Sequence, residues 1–93
     1  MWQGLRVVVV LPAYNEEAGI GAAIADFREA SGGAVDEVIA VDNNSRDGTA
    51  GLIRGAGAMY VLERRQGYGF ALQRGMAEAY ASGAGLIVLE LRQ

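Results

Sequence analysis

The sequence contains neither cysteine nor histidine, and it has a single proline among its 93 residues. Disulfides, thiolate nucleophiles, zinc sites of the usual kind and a Ser-His-Asp triad are therefore excluded. Lysine is absent too. All eight basic residues are arginine, scattered apart from Arg64-Arg65, and they form no basic stripe of the kind that binds nucleic acid. No apolar run approaches the ~18 residues that mark a membrane span. The amino terminus lacks the charged region and small-residue cleavage site of a signal peptide. Together these absences make a cytoplasmic protein the default reading.

The residues that are present favour a folded chain. Hydrophobic residues make up 52% of it, the mean hydropathy is +0.17 and the formal net charge is −3. That composition argues against global disorder, and the length predicts one small domain over residues 1–93.

The stretch from Leu5 to Glu17 organises the rest. Its run Val7-Val8-Val9-Val10-Leu11 does not alternate with polar residues, so the spacing predicts a strand covered on both faces. Pro12, with no N–H to donate, is expected to end it. An amphipathic helix is predicted over 18–30, with Ile20, Ala23, Ile24 and Phe27 inward and Asn15 as its N-cap. A second strand (37–41), a short glycine-weakened helix (50–56) and a third strand (58–62) follow. A third helix (70–82) is predicted to bury Leu72, Met76 and Ala79 or Tyr80, and a fourth strand spans 86–89. This βαβαβαβ alternation implies a three-layer α/β/α fold with a parallel, Rossmann-like sheet of order 3-2-1-4. The order reverses at the first strand, so the carboxyl-end crevice beside Pro12 to Glu16 is the expected ligand site.

Several residue types converge on that edge. Tyr14 offers a face on which a nucleobase can stack, and Asp42 and Asn43 offer donors and acceptors for a base edge. Glu16 can accept from ribose hydroxyls. Backbone N–H groups near Gly67 and Gly69, with Arg64 or Arg65, can meet diphosphate oxygens. Each feature also has a plainer reading. Tyr14 can cap the core, Asn15-Glu16 can start a helix, and Asp42 to Ser45 can form an Asx-turn. Gly67 and Gly69 can punctuate a loop, Arg64-Arg65 can be a solvated pair, and Glu90 is expected to be a solvated chain end.

Three segments in register resemble the amino-terminal half of a family 2 glycosyltransferase of the inverting GT-A fold. Pro12-Ala13-Tyr14-Asn15-Glu16 matches Pro-x-Tyr-Asn-Glu. Val41-Asp42-Asn43-Asn44-Ser45-Arg46-Asp47-Gly48-Thr49 matches Val-Asp-Asp-Gly-Ser-x-Asp-Gly-Thr. Arg65-Gln66-Gly67-Tyr68-Gly69-Phe70-Ala71, continuing to Gly75, is similar to Asn-x-Gly-x-Gly-x-Ala-x-x-x-Gly. The resemblance implies a UDP- or GDP-linked sugar as ligand. By position, Pro12, Ala13, Tyr14 and Glu16 would hold base and ribose, and Asp42 and Asn43 would read the base. The motif style is closest to members that transfer a sugar to a polyprenyl phosphate, which would place a full-length relative at a membrane surface.

Some departures from the pattern bear on function. Asn43 replaces the commoner aspartate. Glu90-Leu91-Arg92 stands where the family carries the Asp-x-Asp that holds magnesium or manganese, so no metal ligand is assigned. No residue is assigned to catalysis either, since the acceptor half with its catalytic base is not in the sequence. The chain is thus expected to be the first half of a larger domain, supplying mainly the nucleotide-binding half and inactive alone. The alternative is a non-catalytic interaction module that hides its apolar fourth strand in a homo-oligomer. A dinucleotide-binding Rossmann domain is disfavoured, because no Gly-x-Gly-x-x-Gly follows the first strand.

Overall fold

A computed structural model of the chain describes residues 1–90. In chain order the elements are β1 (Val7–Ala13), α1 (Ile20–Ala30), β2 (Glu37–Asp42), α2 (Thr49–Gly55), β3 (Met59–Leu62), α3 (Tyr68–Ala81) and β4 (Leu86–Leu89). All strand pairs are parallel and the sheet order is β3-β2-β1-β4, the arrangement expected from the alternation. β1 is buried along its whole length.

Side chains that alternate across the strands feed two cores. On one face Val9, Leu11, Ala13, Val38 and Ala40 pack with Ile20, Ala23 and Ile24 of α1 and Ile53 of α2, and Phe27 covers their margin. On the other face Val8, Val10, Ile39, Val41 and Val61 pack under α3. The buried face of α3 is not the large apolar one that the sequence predicts. Ala71, Gly75 and Ala79 face the sheet, Met76 is exposed and Tyr80 is 81% exposed. Close approach is the reason: a Cβ on Gly75 would lie 2.2 Å from Cγ1 of Val10 and 3.0 Å from Cγ2 of Val41. A stripe of small residues lets the helix backbone rest on the valines.

Pro12 does not end β1. It sits within the strand opposite Val41, and the strand runs on to Ala13. In a parallel ladder, alternate residues of a central strand bond to opposite neighbours. The Val10 carbonyl accepts from the Glu90 N–H at 3.0 Å, on the β4 side, and the Ala13 carbonyl accepts from the Asn43 N–H at 2.8 Å, on the β2 side. Pro12 therefore turns its nitrogen toward β4, whose pairing with β1 stops at Leu89. The missing N–H falls beyond the ladder and costs nothing within it.

Asn15 does not cap α1. That helix starts at Ile20, with Gly19 at its N-cap and no side-chain cap bond. Asn15 instead takes a left-handed conformation (φ 50°), which asparagine tolerates better than most residues.

β4 is covered on one face only. Ile87 and Leu89 pack under α3, whereas Leu86 and Val88 remain 36% and 37% exposed.

Candidate functional site

Two loops leave the carboxyl ends of β1 and β2 side by side and are stitched together by hydrogen bonds. The Asn15 N–H donates to Oγ of Ser45 (2.9 Å), and Oδ1 of Asn15 accepts from the Arg46 N–H (2.9 Å). The Glu16 N–H donates to Oγ1 of Thr49 (2.8 Å) and the Glu17 N–H to Oδ2 of Asp47 (3.3 Å). Oε2 of Glu17 in turn accepts from the Gly48 N–H (3.0 Å). Most polar residues of the first two motifs thus build a scaffold, which is the plainer reading of Asn15 and of residues 45–49. Within this scaffold the Asp47 carboxyl is held below its ordinary value, chiefly by the Thr49 hydroxyl.

A third segment, residues 63–67, closes the site. Glu63 is buried, and its carboxylate accepts from the Arg65 guanidinium at 2.9 Å and from the Arg65 N–H at 3.0 Å. These bonds, the side-chain one first, lower the Glu63 pKa to about 2. The Arg65 guanidinium also lies over the Phe70 ring, 4.6 Å from its centre. Arg65 is therefore committed to the protein although most of its side chain is exposed, and Arg64 is exposed beside it. Gly67, at φ 142°, turns the chain into α3. A side chain there would be strained and would meet Phe70 at 3.2 Å.

Between these segments lies a cleft of about 350 Å³ lined by Pro12, Ala13, Tyr14, Glu16, Asn43, Gln66, Gly67, Tyr68 and Ala71. Six of the eight residues singled out in the sequence meet there: Pro12, Ala13, Tyr14, Glu16, Asn43 and Gly67. Tyr14 is 47% exposed at its mouth.

Asp42 and Gly69 are not in the lining. The Asp42 carboxylate is buried and accepts from the Tyr60 hydroxyl (2.7 Å) and the Ser45 N–H (2.8 Å). Burial first, and then that bond to Asp42, raises the Tyr60 pKa. Asn43 touches the cleft, but its amide is engaged with backbone. Nδ2 donates to the carbonyls of Glu63 (3.0 Å) and Arg65 (2.8 Å), and Oδ1 accepts from the Gly67 N–H (2.9 Å).

Gln66, Tyr68 and Ala71 are lining residues that the sequence reading did not single out. The glycines on either side of Tyr68 were the available signal, because α3 starts at Tyr68 and so turns that side chain toward the crevice.

The family model described as glycosyl transferase family 2 matches residues 8–90. The chain belongs to this family. An uncharacterised glycosyltransferase of Mycobacterium tuberculosis is 41% identical over 76 residues, covering 82% of this chain and 33% of the relative. A dolichyl-phosphate hexose transferase of Haloferax volcanii is 39% identical over 67 residues, 72% of this chain and 28% of the relative. Among solved structures, glucosyl-3-phosphoglycerate synthase from M. tuberculosis, in complex with Mn2+, UDP and glucosyl-3-phosphoglycerate, superposes with a TM-score of 0.79. It is 35% identical, over 94% of this chain and 33% of that one. The chain thus spans about a third of the length of these relatives.

The divalent cation that the resemblance implies finds no fitting ligand set among the described residues. Among the described residues no group of three His, Cys, Asp or Glu is placed to hold an ion. Glu90 follows β4 where the family's Asp-x-Asp is expected, and Leu91 and Arg92 lie outside the described residues. No helix among the described residues is long and apolar enough to cross a membrane.

Proposed function

We propose that this chain supplies the nucleotide-binding half of a glycosyltransferase, its cleft taking the nucleotide of a UDP- or GDP-linked sugar. The carrying observation is the cleft itself. It opens at the carboxyl end of the central strand, beside the strand-order reversal, with Tyr14 at its mouth and Pro12, Ala13, Glu16, Asn43 and Gly67 along its walls. The structural relative crystallised with UDP-glucose and Mn2+ supports the same reading.

In this reading Tyr14 stacks on the base, Pro12 and Ala13 shape its seat, and Glu16 accepts from ribose hydroxyls. Gly67 and Gly69 bring the start of α3 close to the diphosphate, where unpaired N–H groups of a helix's first turn favour anions. Asp42 acts from behind, holding Ser45 and Tyr60. A whole enzyme would carry the sugar to an acceptor, a lipid phosphate or a saccharide, with inversion. A divalent cation, magnesium or manganese, would serve that enzyme. This chain's described residues do not provide its site.

Calorimetric titration with UDP and with GDP tests the reading. Saturable binding of one of them is expected, and Tyr14→Ala should lose roughly 1–3 kcal/mol of base stacking. Unchanged affinity in that variant removes Tyr14 from the site.

A second reading, a non-catalytic module that associates through β4, is favoured by the exposure of Leu86 and Val88 on that edge strand. Sedimentation distinguishes it, since a monomer at high concentration excludes self-association through β4.

A further inference from the structure

The three bonds of the Asn43 amide are the densest side-chain staple in the cleft wall. Two are donated, to the carbonyls of residues 63 and 65, and one is accepted, from the N–H of residue 67. An asparagine side chain offers two N–H donors and a carbonyl with two lone pairs, so both donors are in use. Asn43 is itself buried. The staple spans the residue between its two last partners, Gln66, and turns that residue's position into part of the cleft wall. Among the described residues the Gln66 amide makes no hydrogen bond. Of the other polar groups on that wall, the Tyr68 hydroxyl donates to the Glu90 carbonyl.

From this arrangement we propose that Asn43 is a positioning residue, and that the side chain reading the ligand from this wall is Gln66. An amide can donate and accept at once, which matches the adjacent carbonyl and ring N–H on the edge of uracil or guanine, or a ribose hydroxyl. The proposal rests on the nucleotide reading of the cleft. It differs from that reading in moving recognition one loop away from β2, and it explains why an amide stands at position 43. An aspartate could accept from Gly67, but it would set a carboxylate against two carbonyl oxygens.

The test uses the chain with isotope-labelled backbone, UDP as probe, and the Gly67 amide resonance as a ligand-free report on the staple. Asn43→Asp should move the Gly67 and Gln66 resonances without ligand and weaken UDP binding by about tenfold. Gln66→Ala should leave the Gly67 resonance in place and weaken UDP binding by about three- to tenfold, the worth of one hydrogen bond.

Lowering the pH from about 8 to about 5 should return part of the lost affinity to Asn43→Asp relative to wild type at each pH. A buried carboxyl facing carbonyls is easily protonated and then donates once. A residue that only stabilised the fold would give no such acid recovery. The other ionisable groups around this position are Asp42, Tyr60, Glu63, Arg65, Tyr68 and Glu16 across the cleft. They are common to both proteins, so the ratio removes them.

Should Asn43→Asp fail to fold, Asn43→Ala removes the three bonds without adding charge and should shift the same resonances. Unmoved resonances in a folded Asn43 variant overturn the staple, and wild-type UDP affinity in Gln66→Ala overturns the recognition role. No binding of UDP or GDP by the wild type overturns the nucleotide reading and the role of Gln66 together. The staple itself is still decided by the ligand-free resonances.

Discussion

The Tyr68 hydroxyl donates to the Glu90 carbonyl at 3.2 Å, at the point where Pro12 leaves the β1–β4 ladder without a donor. By the register of that ladder, the Glu90 carbonyl is the next acceptor after the bond from the Glu90 N–H to Val10. A side chain from the start of α3 thus completes a pattern that proline interrupts, and it ties that helix to the end of β4. Tyr68→Phe should cost about 0.5–1.5 kcal/mol, the net worth of one hydrogen bond, read from a urea denaturation midpoint at unchanged slope.

Gly75 and Gly69 lie on the same helix and should respond in opposite directions. Gly75→Ala places a methyl group against Val10 and Val41, and should destabilise by about 1–3 kcal/mol despite the better helix former. Around Gly69 an added Cβ meets nothing within 4 Å, so Gly69→Ala should stabilise by up to about 1 kcal/mol. Thermal melts of the two variants check both signs. If the diphosphate approaches this backbone, the more stable Gly69→Ala protein should nevertheless bind UDP more weakly.

Thr49 is fully buried, and its hydroxyl accepts from the Glu16 N–H while donating to Oδ1 of Asp47. Thr49→Val keeps the shape and strands that N–H, at a cost of about 1–3 kcal/mol. The Asp47 carboxyl should then titrate nearer its ordinary value, because its main stabilising bond is gone. Carboxyl chemical shifts followed against pH give the second readout, and Thr49→Ser should restore both.

Acid should spare the loop of residues 63–67 until late. With the Glu63 pKa at about 2 against an ordinary 4.5, the stabilisation from the Arg65 contacts is fully present above about 4.5. It fades as the pH falls toward about 2. Backbone resonances of residues 63–67 followed during acidification should therefore hold through pH 4. A change centred near 4.5 would show that the pair does not form in solution.

The sheet order and the core under α1 were legible from the sequence, because the valine run of β1, the strand-helix alternation and the apolar spacing of α1 leave few parallel topologies. Six lining residues of the cleft were also legible, since the carboxyl edge of a parallel sheet is where its loops gather. What periodicity could not show was distance. Leu72, Met76 and Tyr80 look like a buried stripe until the gap between α3 and the valines is known, and then only alanine and glycine fit. Nor could motif spacing separate a side chain facing the cleft from one bonded behind it. Asp42 and Asn43 are adjacent in sequence and both buried; one anchors Tyr60 and Ser45, the other the backbone across the cleft. Pro12 misled for a related reason: whether a missing N–H matters depends on how far the neighbouring strand extends.

The stitching of residues 15–17 to residues 45–49 makes the cleft mechanically lopsided. One jaw is two loops fused into a single stiff unit. The other hangs on the Asn43 amide, the Glu63–Arg65 pair and the Tyr68 hydroxyl. A nucleotide entering between them would deform the second jaw far more readily than the first. Ligand-dependent slowing of amide exchange should accordingly concentrate at residues 65–68 and leave residues 45–49 protected throughout.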